Sequence, residues 1–499
     1  MTGKPLTHRF VRGSASSMLA VLVSMAALLV TGKLVAVSFS RELVGMLALM
    51  LVSADFLNVL FSFGLPVSMP RLVAAAAVAE RPVVTRNAVE LLGWTTVLSG
   101  LSALLLMAAV GFLPEVSAGA ITALVAEPHY IILLWLLAVS GTARDLLMSI
   151  LAGMDLYSAR ATAVAMTSLL QVGLVAGAVW LDRETITWLV LAMVLSYGIA
   201  VVWMGGKLRG SWRVCGHLRP ARSTLDGMRA LLRFSGPLYA NQLLTFFYQR
   251  FDTVLVGALL GLAPAAVFEM VKRLPMVMTR VLGAGLTPYL PHLTRLIAAD
   301  DSVGAARLAE RSARITACVG YGAALTVIVF REPVVRLLFS DEYLSGTGTL
   351  ALLLAAAVIT LQTGVMGQTL IALGRTMAVT LINTGLVAVG LAMNAALIPM
   401  LGMAGAGWAS VTAVAFSGVL QACWVRRHGV PVRWRAVLLP HAVFALACLP
   451  ALFADGIALR LSGMALFVTL SFALGVVTPG EIGHAAGALR PGNGKAMES

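Results

Sequence analysis

Charge is what this sequence has least of. Acidic and basic residues together make up 12% of the chain and apolar residues 59%, against about 25% and roughly 45–50% in soluble domains. A soluble fold of 499 residues is excluded by that deficit, because too few charged groups exist to cover its surface. Cysteine is equally scarce. Cys215, Cys318, Cys423 and Cys448 are scattered without CxxC or metal-ligand spacing, so they are expected as small packing residues. The seven histidines are dispersed, with no HExxH or paired-ligand pattern, and a metal site is not expected. Acids are fewer than bases, 22 against 36, which gives a net charge of +14. In a soluble protein that excess would point to nucleic acid. Here the bases gather in alternate segments between apolar runs, which assigns them to one face of a bilayer and leaves no nucleic-acid partner.

What is present is a succession of long apolar runs. A spanning helix needs about 20 such residues, and the chain offers about fourteen runs: Ser16–Val37, Val44–Val67, Ala88–Leu113, Ile131–Gly153, Ala161–Leu181, Ile186–Met204, Leu238–Leu262, Val267–Leu290, Ile315–Leu338, Thr347–Leu373, Met377–Leu401, Ala404–Val425, Val437–Phe453 and Ile457–Val477. The expected class is therefore an all-α polytopic membrane protein. The first run follows Lys4, Arg9 and Arg12, as a secretory signal would. Its length, Lys33 within it and the span that follows mark it as a retained first helix. With the N-terminus on the cytoplasmic side, 25 Lys and Arg fall in inside segments and 5 (Arg41, Arg183, Arg331, Arg336, Arg460) on the outside. That asymmetry fits the positive-inside rule for an even number of spans with both termini cytoplasmic.

The longest polar stretch, Lys207 to Arg233, carries seven Lys or Arg against one acid, Asp226. It has the character of a cytoplasmic loop beside anionic lipid, and it separates two sets of six runs. The expected organisation is residues 1–206 as a six-helix bundle, 207–235 as a basic linker, 236–428 as a second six-helix bundle around a shared central cavity, and 429–499 as a helix pair with a cytoplasmic tail. Weak internal similarity favours a repeat: Gly173-Leu174-Val175-Ala176-Gly177 against Gly385-Leu386-Val387-Ala388-Val389-Gly390, and Arg9-Phe10 against Arg233-Phe234. A parallel repeat of this kind is an arrangement that places a substrate path between two bundles.

Ionisable residues inside spans are the informative ones, because each costs at least about 2.5–3.5 kcal/mol at the bilayer centre. Lys33, Asp55, Arg144, Asp145, Arg250, Asp252, Lys272, Arg273 and Arg280 are such residues, six bases against three acids. A cavity lined by that excess prefers an anion. Arg273 and Arg280 lie seven apart, two turns along one face, with Lys272 beside them. Lys33 and Arg280 also lie close enough to span ends to snorkel, and Arg144, Asp145 and Asp252 have neighbours with which to pair. Asp55 and Asp252 are candidates for carrying a coupling ion, since a carboxylate in a low-dielectric cavity takes up a proton more readily. Gly405 and Ala409, four apart, favour close helix approach, and Pro399 is expected to end a helix at the outer face.

Several stretches carry a family resemblance. Leu232-Arg233-Phe234-Ser235-Gly236-Pro237-Leu238, then Asp252-Thr253-Val254-Leu255-Val256-Gly257 and Gly261, resemble the seventh-helix signature of the polysaccharide transporters in the multidrug/oligosaccharidyl-lipid/polysaccharide exporter superfamily. Ala266 and Phe268 depart from the Gly-x-Tyr usual in that family, and Arg273-Leu274 resumes the pattern. Gly64-Leu65 with Arg71, Asp341-Glu342-Tyr343, and Asn394, Leu397-Ile398-Pro399, Gly402, Gly405-Ala406-Gly407 and Ala409-Ser410 are similar to further family motifs. The resemblance implies a flippase, not an enzyme, in the cytoplasmic membrane. It would move a polyprenyl-diphosphate-linked sugar, with Lys33, Arg144, Arg250, Lys272, Arg273 and Arg280 as the cationic lining that guanidinium groups suit. It also implies no cofactor, coupling to a proton or sodium gradient, and polysaccharide polymerase and glycosyltransferases as partners. A lipid II flippase and a cation-coupled multidrug exporter are the alternatives within the superfamily. A membrane-embedded polymerase or glycosyltransferase is the alternative of another class. It would need a large external loop or a carboxylate cluster, where the longest outside loop is Pro114 to Tyr130 with Glu115 and Glu127.

Overall fold

The computed structural model describes residues 6–76, 80–111, 128–181, 185–214, 225–286, 288–453 and 456–476. Lys4, Arg183, Cys215, most of the Pro114–Tyr130 loop, the centre of the basic stretch and the tail beyond 476 lie outside the described residues. Among the described residues the chain is built of helices: α1 (Leu6–Ser38), α2 (Arg41–Ser62), α3 (Leu65–Ala75), α4 (Arg81–Gly111), α5 (Pro128–Gly153), α6 (Tyr157–Trp180), α7 (Ile186–Val214), α8 (Leu225–Leu260), α9 (Leu262–Ala284), α10 (Tyr289–Ala298), α11 (Ser302–Val329), α12 (Arg331–Leu338), α13 (Thr347–Ala372), α14 (Thr376–Leu401), α15 (Met403–Arg427), α16 (Trp434–Phe453) and α17 (Ile457–Ala473). A short 3-10 turn, Asp341–Gly346, precedes α13. Helices are the expected answer to a bilayer, which offers no water to satisfy a backbone N–H or C=O.

Each expected span overlaps one of these helices, and eleven helices are long and apolar enough to cross a membrane. Two of the others fall short for visible reasons: Glu269, Lys272, Arg273 and Arg280 interrupt the apolar surface of α9, and α17 has only 17 residues. Two expected spans are broken where the backbone turns. Val44–Val67 ends as a helix at Ser62, because Phe63 and Gly64 both adopt positive φ, 46° and 74°. Ile315–Leu338 divides at Phe330 into α11 and α12. Pro399 does not end its helix: α14 continues to Leu401, and the stop is Gly402, at φ 60°. A proline near a helix end loses few backbone bonds, whereas the left-handed residue is what turns the chain away.

The helices form two compact units. The first comprises Met1–Arg273, Leu337–Ser345 and Asn394–Ala406, and the second Leu274–Arg336, Gly346–Met393 and Gly407–Ser499. In the first unit α1 packs along α6, α5 and α8 flank α2, and α3 lies against α5. Leu65, Met69, Leu146, Ile150 and Met204 fill its core. In the second, α11 is the central element, contacting α13, α16 and α17, with Leu293, Ala309, Met366, Leu370 and Val425 packed at one end.

Several of the residues that carry the family resemblance stand at close contacts between helices. A Cβ on Gly64 would stand 2.9 Å from the carbonyl oxygen of Ser235 and from the amide of Tyr239. The Ser235 hydroxyl shares a 2.7 Å hydrogen bond with Ser68, and the Arg71 guanidinium lies over the Phe234 ring. Gly257 meets Leu49, and Gly405 meets the Leu397 carbonyl. Small residues at such contacts let helices approach where lipid offers no hydrophobic driving force.

Candidate functional site

The first unit concentrates paired charge within its apolar helices, on α2, α5, α8 and α9. Arg250 of α8 donates from Nη2 to Asp55 of α2 at 2.9 Å and from Nη1 to Glu269 of α9 at 3.4 Å. The other oxygen of Glu269 accepts from the Thr253 hydroxyl at 3.0 Å. Beside it Lys272 pairs with Asp252 and also donates to the Gln249 carbonyl at 2.8 Å. Asp252 in turn accepts the Thr253 amide at 2.8 Å. Phe56, Phe246, Phe247 and Phe251, on α2 and α8, form a connected set of rings.

A second set sits one turn along α2. Asn58 is three residues from Asp55, on the same helix face, and its amide nitrogen donates to Asp145 at 3.2 Å. Its oxygen accepts from Thr142 at 3.1 Å. Asp145 also receives Arg144 through Nε and Nη2, at 2.9 and 2.8 Å, and Arg144 lies over the Tyr197 ring at 4.1 Å. Charges that would be prohibitive singly are tolerated because each has an opposite charge, and Asp145, Asp252, Glu269 and Lys272 have further hydrogen bonds as well.

The expected site residues thus fall into three groups. Asp55, Arg144, Arg250, Asp252 and Lys272 come together in these two sets. Arg273 and Lys33 belong to the same unit but face elsewhere. Arg273 is buried, with Nη1 donating to the Leu28 carbonyl at 3.0 Å, in space that only a glycine at position 32 leaves open. Lys33 donates to the Phe339 carbonyl at 2.6 Å. Arg280 lies beyond Pro275 on α9, exposed, in the second unit. Glu269 was missed, and with it the balance changes: six bases stand against four acids. An acid three and four residues before Lys272 and Arg273 in an otherwise apolar helix is a pairing signal, and it was available in the sequence. Among the described residues no three His, Cys, Asp or Glu side chains gather as metal ligands would.

The fold is that of a multi-pass membrane protein, with eleven helices among the described residues long and apolar enough to cross a membrane. Residues 39–347 match the family model described as polysaccharide biosynthesis protein, so the chain belongs to that family. No curated protein matches the sequence. Among solved structures it is similar to a lipid II flippase, MurJ, in an inward closed conformation, at 12% identity and a TM-score of 0.64, covering 92% of this chain and 97% of that one. It is also similar to an inward-facing multidrug resistance MATE transporter, at 13% identity and a TM-score of 0.65, covering 82% and 94%. A further match is a superfamily transporter from Pyrococcus furiosus, at 15% identity and a TM-score of 0.57, covering 86% and 96%. At such identities the likeness is one of fold.

Proposed function

We propose that the chain is a flippase carrying a polyprenyl-diphosphate-linked oligosaccharide across the cytoplasmic membrane for surface polysaccharide synthesis. It would have fourteen crossings and both termini in the cytoplasm. The observation that carries this reading is the gathering of three basic side chains, Arg144, Arg250 and Lys272, in a unit whose helices also hold Lys33 and Arg273. A diphosphate diester brings two negative charges into the membrane, and guanidinium groups meet phosphate oxygens in a planar fork. Alternating access would expose the site to each face in turn, with the lipid tail left in the bilayer. Asp55 and Asp252 are the proposed carriers of a coupling proton or sodium ion. Polymerase and glycosyltransferases are the proposed partners on either side of the step, and no covalent chemistry is asked of this chain.

Complementation tests it. The chain is expressed in cells lacking one sugar-lipid flippase at a time, as wild type and as Arg250→Gln, at equal membrane abundance. Restored surface polysaccharide that is lost with Arg250→Gln is the expected result. Rescue of peptidoglycan synthesis instead would assign the substrate to lipid II. Drug resistance with no glycan rescue would overturn the proposal.

A further inference from the structure

The four ion pairs made by Arg144, Arg250 and Lys272 are not equivalent, and the difference singles out Arg250. Arg144 and Asp145 are held more fully: two donor bonds between them, a ring over the cation and an amide on the anion, with side chains 22% and 34% exposed. Lys272 and Asp252 are pinned by backbone as well as by each other, with side chains 17% and 8% exposed. Arg250 is arranged differently. Its side chain is 31% exposed and that of Asp55 43%, so this is the most open pair of the network. Its two terminal nitrogens go to two different acids, one contact each. No acid takes the fork in the parallel, two-bond manner that a carboxylate or phosphate prefers. Glu269 is 10% exposed yet keeps the Thr253 hydroxyl on its second oxygen, so it remains hydrogen-bonded when Arg250 leaves.

We propose that Asp55 and Glu269 are resident competitors for Arg250: they hold its guanidinium in the empty transporter and are displaced by a diphosphate oxygen of the cargo. Binding and release become one exchange of anions on one cation. This rests on the flippase reading above and deepens it by assigning the carboxylates a role in release. A bare guanidinium in a low-dielectric site would hold a diphosphate too long to let it go, since Coulomb attraction there is several-fold stronger than in water. Two tethered carboxylates weaken that hold without removing the donors, and they take the cation back when the cargo leaves. No bond is made or broken, and the net charge of the network is unchanged by the exchange.

The test uses the full chain in nanodiscs and geranylgeranyl diphosphate as the probe, with inorganic diphosphate in a parallel titration. Asp55→Asn is expected to bind the prenyl diphosphate about tenfold more tightly than wild type, within the usual span of coupling between ligands. Glu269→Gln, which keeps the Thr253 contact, is expected to tighten binding about threefold and serves as the second variant should Asp55→Asn fail to fold. Arg250→Gln loses binding, and Arg250→Gln with Asp55→Asn is no better, because the competitor has nothing left to compete for. Folded Asp55→Asn or Glu269→Gln that binds as wild type or more weakly, with Arg250→Gln still defective, overturns the displacement while the flippase reading stands. Equal affinity for inorganic diphosphate assigns the exchange to a soluble anion and sinks the flippase reading alone. A wild type that binds neither probe removes the cationic grip on which both rest.

Discussion

Both units bury polar groups among apolar helices, but of different kinds. The first holds Asp55, Asp145, Arg250, Asp252, Glu269 and Lys272 as paired ions. The second holds neutral groups within its helices and keeps Glu332 and Arg460 paired where two of its helices begin. Gln362 donates to the Val437 carbonyl at 3.0 Å, the Tyr289 and Thr369 hydroxyls share a 2.7 Å bond, Tyr321 pairs with His441, and Gln421 donates to Ser417. Helices α13 and α14 carry no charged residue from 347 to 372 or from 376 to 401. A neutral hydrogen bond joins helices at modest cost, and its net worth is about 1 kcal/mol. An ion pair is a far more expensive way to join them. That the first unit retains several points to a role for charge beyond holding helices together.

The largest effect expected from that difference is on transport. Arg250→Gln should lower glycan rescue by about 100-fold in a chain that still reaches the membrane, the consequence of losing charged hydrogen bonds worth about 1.5–3 kcal/mol. Its counterpart in the second unit, Gln362→Leu, removes one buried amide bond. Rescue should stay within about twofold, and thermal unfolding in detergent should register a loss of about 1 kcal/mol. Equal transport defects from the two variants would break the comparison.

The next pair tests where the units are alike, in backbone contact. A Cβ on Gly45 of α2 would overlap the Leu262 carbonyl, and one on Gly463 of α17 would stand 2.6 Å from the Ala447 carbonyl. A main chain yields less readily than the end of a side chain. Gly45→Val and Gly463→Val are each expected to cost about 1–3 kcal/mol, as overpacking does. Membrane abundance and unfolding midpoints check this, and a neutral result at either site would mean that the helices there slide apart freely.

How much of this was legible follows from the range over which each signal acts. Hydropathy is local, so the helices and their bases in alternate loops could be read directly. The breaks at Phe63–Gly64 and Phe330 were not, because Val44–Val67 and Ile315–Leu338 are each continuously apolar enough to be taken for one span. Paired charges were half legible. Asp55, Arg250, Asp252 and Lys272 stand out in apolar surroundings, yet their partners lie 20 residues apart for Asp252 and Lys272 and far more for Asp55 and Arg250, and no spacing rule links them. Arg273 shows the limit most clearly. Its acceptor is a backbone carbonyl 245 residues away, and any residue type supplies a carbonyl. Only Gly32, whose missing side chain leaves room for the guanidinium, marks the spot, and a lone glycine in a membrane helix marks nothing by itself.

Smaller effects sharpen the contrast at the helix ends. In the second unit Arg331 donates to the Ala451 carbonyl at 2.9 Å and to that of Leu452 at 3.4 Å, while Glu332 pairs with Arg460 at 3.0 Å. These bonds tie α12 to the end of α16 and the first turn of α17, and they satisfy carbonyls that the end of α16 leaves open. Arg331→Ala is expected to cost about 1–2 kcal/mol, read as earlier proteolysis or unfolding of the C-terminal helix pair. In the first unit the comparable tie is Arg41 to Glu342, at 3.3 Å, with side chains 42% and 61% exposed. Water screens such a pair, and ordering two long side chains offsets much of the attraction. Glu342→Ala should therefore shift stability by less than about 1 kcal/mol, and the difference from wild type should shrink further as ionic strength rises past the point where the screening length falls below about 10 Å. A larger, salt-independent loss would mean that Glu342 is drawn into the buried network, and the line between interior ions and surface ions in this unit would have to be redrawn.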